Sequence, residues 1–469
     1  MRDWPGPTEV WPHGESGLFP VRSSERYNSR RRCIQSTSKG PGLVTESSQS
    51  LIDVRVGVIG LGYVGLPTAS MFATRGLTVV GVDTNEAMID RLLEGDVENL
   101  EPDVQSLALA ALNSGKLRVS SAIEECDAYV VAVPTPVGPD HKADLTYVRT
   151  AIAALRPHLV KGSLVILEST VPPGTTENVI VPELEMSGLR AGPDILVAHC
   201  PERVLPGSTL VELVNNDRVV GGINRESGER AAALYRTFVR GRIHITDATT
   251  AELVKVMENT YRDVNIALAN EFALVAQRLG VDVWEAIELA NNHPRVSILK
   301  PGPGVGGHCI AVDPWFLVEL TQDDTTVIRS ARERNDSMPR LVVERLLANA
   351  PALGTHVAVL GLAYRAGLGD TRESPALRVI KELESRGVEV KAHDPYVVSQ
   401  AGIDVVTLEE ALDNASAILV ITDHSEFRNL DPDRAAAAVA NRILFDTRNC
   451  LPREAWERAG FTVLTVGRG

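Results

Sequence analysis

The sequence predicts an α/β fold of two Rossmann-like doubly wound domains joined by a central helical region with one long helix. Three observations predict it. A short apolar strand runs into Gly60-Leu61-Gly62-Tyr63-Val64-Gly65 and then into a helical pattern. Strand and helix patterns alternate again from His356. Between the two, Thr249 to Gly280 carries helical periodicity and no strand pattern.

The elements follow in order. Residues 1–50 are rich in Ser, Arg, Pro and Gly, have no period and hold no apolar core of a secretory signal, so they read as a disordered tail or an over-called start. Val54 to Gly60 is a strand, Tyr63 to Arg75 a helix stopped by Gly76, and Leu77 to Asp83 a second strand. Further strands are expected over Ala128 to Pro134, Ser163 to Ser169, Ile195 to His199 and Arg242 to Thr246, with helices between most of them and all strands parallel. Helices are expected over Thr249 to Gly280, Val283 to Asn291 and Val327 to Ala350. A last α/β unit has strands at His356–Gly361, Val388–His393, Ala417–Thr422 and Arg442–Asp446, and a helix over Pro375–Arg386. The domain boundaries are therefore set at 51–247, 248–350 and 351–469.

Composition narrows the function classes. Over 469 residues, 47 basic and 61 acidic side chains give a net charge of −14, and no basic block exceeds Arg30-Arg31-Arg32. A nucleic-acid partner needs concentrated Lys and Arg, so none is expected. No apolar run approaches the ~20 residues of a membrane span. The five cysteines are odd in number and unclustered, which points to reduced thiols in the cytoplasm and to no metal knuckle.

The glycine motif lies between a strand and a helix, the context a dinucleotide needs. Gly60 permits the tight turn, Gly62 lets backbone approach a pyrophosphate, and Gly65 lets the helix pack on the strand. The helix N-terminus offers amides and a positive dipole end. Asp83 ends the next strand 18 residues after Gly65, where a carboxylate accepts from a ribose diol and repels a 2′-phosphate, so NAD is expected over NADP. Val133-Pro134-Thr135-Pro136 and Glu168-Ser169-Thr170-Val171-Pro172-Pro173-Gly174 follow later strands, on the edge where ligands collect, although Pro, Ser and Thr also suit plain turns.

The most informative stretch runs from Pro301 to Asp313. Gly302, Gly304, Gly306 and Gly307 leave the backbone able to lie against a ligand, and His308 and Cys309 follow. At the head of a helix, the Cys309 thiol is expected to have its pKa lowered by the dipole, favouring a nucleophilic thiolate. On the long helix Lys255, Asn259 and Arg262 are spaced to share a face, and a lysine with an asparagine can serve an alcohol oxidation.

With these residues in hand, the chain from Val54 to its C-terminus resembles the UDP-glucose/GDP-mannose dehydrogenase family. The phrases Cys200-Pro201-Glu202-Arg203-Val204-Leu205-Pro206-Gly207, Arg262-Asp263-Val264-Asn265-Ile266-Ala267, His293-Pro294-Arg295-Val296 and Gly306-Gly307-His308-Cys309-Ile310-Ala311-Val312-Asp313-Pro314-Trp315-Phe316 are closer still to one of its members. The resemblance implies an N-terminal NAD domain, a central dimerisation region, a C-terminal nucleotide-sugar domain and a four-electron oxidation of a UDP-sugar at its 6-hydroxyl through Cys309. It implies Lys255 as general acid/base, Asn259 in oxyanion stabilisation, and Glu168 and Asp313 in water activation and thiol support. On the cofactor side it implies Gly60, Gly62, Tyr63, Val64, Gly65, Asp83, Thr135, Thr170 and Arg372. On the substrate side it implies Arg203, Val204, Lys255, Asn259, Arg262, His293, Arg295 and Gly306, with Tyr364, Arg365 and Arg448 from the C-terminal domain. Arg295 is implied to reach the other subunit of a homodimer. Arg365 stands where family members usually carry Lys, so a planar fork replaces a point charge. The rival readings are a UDP-glucose or UDP-N-acetylglucosamine 6-dehydrogenase, a two-electron hydroxyacid dehydrogenase, which needs no thiol, and a non-catalytic NAD-binding regulator.

Overall fold

The computed structural model of the chain describes residues 54–97, 101–204, 207–321, 323–350 and 354–469. The expectation for residues 1–50 lies outside them. The first sheet is built from β1 (Arg55–Ile59), β2 (Thr78–Val82), β3 (Leu117–Ser120), β4 (Ala128–Val131), β5 (Leu164–Leu167), β6 (Leu196–His199), β7 (Arg218–Gly222) and β8 (Ile243–Asp247). Their order is β3-β2-β1-β4-β5-β6-β7-β8. β4 and β5 are continuous apolar runs, and β6 is apolar up to His199; all three are buried on both faces, as strands covered by helices on either side must be.

The order reverses between β1 and β4, both parallel, with Ile59 opposite Val82 on one side and Val131 on the other. Such a switch point opens a crevice at the carboxyl ends of the strands. The all-parallel expectation fails at one pair. β7 runs antiparallel to β6, with Ala198 opposite Gly222, and only β8 runs parallel to β7. After β6 the chain passes through a loop and the short helix Thr209–Asn215 before β7, so no full crossover returns it to the starting edge.

The connector helix, Ala248–Leu279, has 32 residues and spans about 48 Å. Asp247 caps it by accepting from Thr250 N at 2.7 Å, and Gly280 ends it in the left-handed conformation. A second long helix, Thr326–Asn349, packs against it. Between the two lies a buried polar seam. Arg332 is fully buried against Asp263, and Asn335 donates to the Asp263 carboxylate at 2.8 Å.

The last sheet, β9 (Val357–Leu360), β10 (Val390–His393), β11 (Ala417–Val420), β12 (Ile443–Asp446) and β13 (Thr462–Thr465), is parallel throughout in the order β10-β9-β11-β12-β13. Its switch point lies between β9 and β11. Val359, Leu419 and Phe445 are sealed in its core, each worth roughly 1.5–3 kcal/mol of burial.

Candidate active site

The turn after β1 has the geometry a dinucleotide requires. Gly60 is left-handed, at φ 91°, and a Cβ on Gly65 would overlap the Gly60 carbonyl, so neither tolerates a side chain. A Cβ on Gly62 would meet no protein atom within 4 Å, which leaves that side open for close approach. The helix Gly65–Thr74 has Val64 at its N-cap and no side-chain cap; Leu66 N donates to the Gly62 carbonyl at 3.2 Å, and the positive dipole end faces the glycine turn. Asp83 accepts from Leu61 N at 2.8 Å and Asn85 N at 2.9 Å, which fixes its carboxylate beside the glycine turn. Thr135 Oγ1 donates to the Thr170 carbonyl at 2.6 Å, and Ser169 bonds both the N–H and C=O of Val133, joining the two loops at the ends of β4 and β5. These residues fit NAD.

The Tyr63 hydroxyl donates to Glu101 at 2.6 Å. Glu101 also accepts from Gly207 N, Thr209 N and Thr209 Oγ1, tying the glycine turn to the loop that follows Arg203 and Val204. Sequence reading passed over Glu101. A Glu-Pro step opening a helix is its only local signal.

Lys255 and Asn259 stand one turn apart on the buried face of the connector helix. Asn259 Nδ2 donates to Asp313 Oδ2 at 2.5 Å, and Asp313 starts the helix Asp313–Leu320 with its side chain wholly buried. Burial pushes the Asp313 carboxyl up to about 6, against the pull of Lys255 and the Asn259 bond. Glu252 locks the register by accepting from Gly174 N at 2.5 Å and from Thr176 N and Oγ1 at 2.7 and 2.6 Å. Arg262 does not share the face with Lys255 and Asn259. It is exposed, and Asp263 continues the buried stripe because the packing partner there becomes the second long helix.

Cys309 precedes that short helix by a turn. Its carbonyl, not its thiol, meets the helix N-terminus, accepting from Asp313 N at 2.8 Å. The expected lowering of the thiol pKa is therefore corrected. Burial and then the Asp313 carboxylate push it up to about 11, with Lys255 pulling the other way. Deprotonation of this thiol must come from a neighbouring base.

The glycine loop before Cys309 is clasped from both sides. Gly302 N donates to Asn270 Oδ1 at 2.9 Å on the connector helix, and Gly307 N donates to the Arg372 carbonyl at 3.1 Å on the C-terminal domain. A Cβ on Gly306 would meet Tyr364, Pro375 and the Glu373 carbonyl at 2.7–2.9 Å, so glycine is required there by contact. Arg448 Nε donates to the Ile421 carbonyl at 2.9 Å, and its guanidinium lies against Gly302. Arg365 lies partly exposed on the Tyr364 loop. Arg372, read as a cofactor contact, forks onto Asp370, and its charge acts on the Cys309 thiol.

Three groups sit elsewhere than the sequence suggested. Glu168 is sealed at the end of β5, where Tyr235 donates to it at 3.1 Å and Arg218 lies 3.5 Å away. Burial, then the Glu202 carboxylate, push the Glu168 carboxyl up. Glu202, bonded to Arg218 Nη2 at 2.7 Å, lies at the rim of the same cluster. Arg203 is paired with Glu258 and donates to the Asp217 carbonyl, lining a surface cavity of about 330 Å³. His293 and Arg295 are exposed after the helix Val283–Ala290, with no bond to Lys255, Asp313 or Cys309 among the described residues.

Residues 54–239, 249–337 and 358–453 match, respectively, the NAD binding domain, the central domain and the UDP binding domain of the UDP-glucose/GDP-mannose dehydrogenase family. The chain is 49% identical over 432 residues to a UDP-N-acetyl-D-mannosamine dehydrogenase of Methanocaldococcus jannaschii, covering 91% of this chain and 99% of the relative. It is 44% identical over 411 residues to an NDP-N-acetyl-D-galactosaminuronic acid dehydrogenase of Ralstonia solanacearum, covering 85% and 96%. The solved UDP-D-ManNAc dehydrogenase of Pyrococcus horikoshii superposes with a TM-score of 0.83 at 43% identity, covering 88% of this chain and 99% of that one.

Proposed function

The chain belongs to the UDP-glucose/GDP-mannose dehydrogenase family, and on that premise we propose that it oxidises UDP-N-acetyl-D-mannosamine to UDP-N-acetyl-D-mannosaminuronate. It is an NAD-dependent UDP-sugar 6-dehydrogenase. One observation carries the chemistry: Lys255, Asn259, Asp313 and Cys309 gather where the helix Asp313–Leu320 and the turn before it pack on the connector helix.

The Gly60–Gly65 turn and Asp83 would hold NAD, which when bound would supply the hydride acceptor, two equivalents being consumed per sugar. Lys255 takes the proton of the 6-hydroxyl as the alcohol becomes an aldehyde. Asn259, fixed by Asp313, steadies the developing oxygen charge. Once Lys255 has passed the 6-hydroxyl proton to solvent, the Cys309 thiol adds across the aldehyde C=O as a thiohemiacetal, its proton passing through Lys255 to the oxygen. Loss of the second hydride, with the hydroxyl proton taken by Lys255, leaves a thioester. Water then releases the uronic acid and returns the thiol. We assign the water-activating carboxylate to Glu202, since Glu168 is sealed behind it. Tyr364, Arg365 and Arg448 are assigned to the nucleotide.

We also assign a homodimer. Leu253, Met257, Tyr261, Leu268, Phe272, Val275 and Leu279 form an exposed apolar stripe along the connector helix, up to 71% exposed at Leu279. A second copy covering that stripe would bring Arg262, His293 and Arg295 to a site that one chain leaves without them. No described helix is long and apolar enough to cross a membrane, and we assign a cytoplasmic location, which fits the unpaired Cys126, Cys200, Cys309 and Cys450. The test is turnover against a panel of UDP-N-acetylmannosamine, UDP-glucose and UDP-N-acetylglucosamine. The first must have the highest kcat/KM; preference for either of the others overturns the substrate assignment.

A further inference from the structure

β10 and β11 flank β9 in the C-terminal sheet, and each delivers one polar side chain beneath the loop that leaves β9. Asp394 follows β10 and His424 follows β11, and both side chains are wholly buried. Asp394 Oδ2 accepts from Leu362 N at 2.7 Å and Ala363 N at 3.0 Å, Oδ1 accepts from Tyr396 N at 2.8 Å, and His424 Nε2 stands 3.0 Å from Oδ2. On the other side of the ring, His424 Nδ1 faces Gly367 N at 3.1 Å.

A backbone N–H can only donate, so Nδ1 must present its lone pair. The ring is then neutral, with its proton on Nε2 and donated to Asp394. The imidazole is wedged between the rings of Tyr396 and Phe427, with centroids 5.1 and 5.5 Å away, and cannot turn to exchange its two nitrogens. Asp394 thus fixes the tautomer, and the tautomer fixes the acceptor that holds Gly367.

We propose that His424 is a positioning residue for nucleotide binding, setting the loop from Gly361 to Asp370 through its bond to Gly367. The inference rests on reading Tyr364 and Arg365 as nucleotide contacts. Four fixed points define the loop: Leu362 and Ala363 on Asp394, Ala363 O on Thr422 Oγ1 at 2.5 Å, Gly367 on His424, and Tyr364 N on the Asp370 carbonyl at 3.0 Å. Between Ala363 and Gly367 lie Tyr364 and Arg365. Freed at Gly367, the loop would keep its start and the Tyr364–Asp370 bond that closes it but lose the tie between them, and Tyr364 would sit less firmly against Gly306 and Gly307.

The two nitrogens can be tested separately. In His424→Asn the side-chain oxygen reaches the place of Nδ1 and keeps the acceptor. In His424→Gln the longer amide reaches Asp394 but leaves Gly367 N–H without a partner. UDP binding by calorimetry, with kcat and the KM values for sugar and NAD, reads the outcome. His424→Gln should weaken UDP binding about tenfold to a hundredfold, the effect of one buried donor left unmade, while the KM for NAD stays unchanged. His424→Asn should stay within about threefold of the parent chain, and this retention is at risk even if the Gln variant fails to fold. Equal losses in both variants would make the ring a packing element and overturn the proposal. Arg365→Ala separates the premises. If it weakens UDP binding and His424→Gln does not, the positioning role fails alone; if neither does, the nucleotide reading of the loop fails and takes the proposal with it.

Discussion

Removing the charge of Asp313 should move two readouts in opposite directions. The Cys309 thiol lies near 11 against an ordinary value of 9.0, with burial the larger cause and the Asp313 carboxylate the next. Asp313→Asn keeps the side-chain shape and removes the charge. Taking about one pH unit for a single neighbouring carboxylate, the thiolate fraction at pH 8 rises about tenfold. Iodoacetamide alkylation of the Cys309 peptide, followed by mass spectrometry, should accelerate by that factor. Turnover should fall all the same, by roughly ten- to a hundredfold, because a charge-assisted hydrogen bond of about 1.5–3 kcal/mol fixes Asn259. The pH dependence has a definite sign. The Asp313 carboxyl titrates near 6, so above that pH the parent chain carries the charge and the two proteins differ, whereas below it the carboxyl is neutral and their alkylation rates converge. Slower alkylation in the variant at pH 8, or a rate ratio that stays constant from pH 5 to pH 8, would refute the placement of this carboxylate beside the thiol.

Three further outcomes are expected. Asp83→Asn should narrow the preference for NAD over NADP in kcat/KM, since the carboxylate beside Leu61 N would no longer oppose a 2′-phosphate; an unchanged ratio would mean the ribose lies elsewhere. Glu202→Gln should accumulate a thioester on Cys309, seen as an added mass after acid quench, while Glu168→Gln should stay within a fewfold of normal, since burial favours the neutral carboxyl that the amide imitates. Arg295→Ala should raise the KM for the sugar by the equivalent of ~1–3 kcal/mol without changing that for NAD, and a normal KM would remove Arg295 from the site.

What the sequence made legible was whatever depends on backbone form and period. The Gly60–Gly65 turn could be read because a left-handed Gly60 and a crowded Gly65 admit no other residue. The connector helix could be read from its apolar spacing and its Gly280 stop, and the structure starts and ends it within a residue of the reading. The reversal of β7 could not be read, because strand direction depends on where the chain re-enters the sheet, not on the strand's own residues. The Cys309 thiol was misjudged because the helix begins four residues later, at Asp313, and that carboxylate faces the sulfur. Glu168 could be placed at a strand end from sequence, but its sealing by Tyr235 and Arg218 depends on packing from distant elements. Glu101, Glu252, Asn270 and His424 carry no motif of their own. Each acts by accepting from backbone N–H groups distant in sequence, and only the fold brings those donors to them.

The central claim is that Cys309 holds the sugar covalently between two hydride transfers. The direct measurement is the number of NADH formed per uronic acid, taken on the parent chain and on Cys309→Ser. The account predicts two NADH per uronic acid in the parent chain, and in the variant a loss of turnover by orders of magnitude with NAD binding and fold retained, since an alkoxide is a poorer leaving group than a thiolate. One NADH per sugar, or a Cys309→Ser variant turning over near the normal rate, would contradict it.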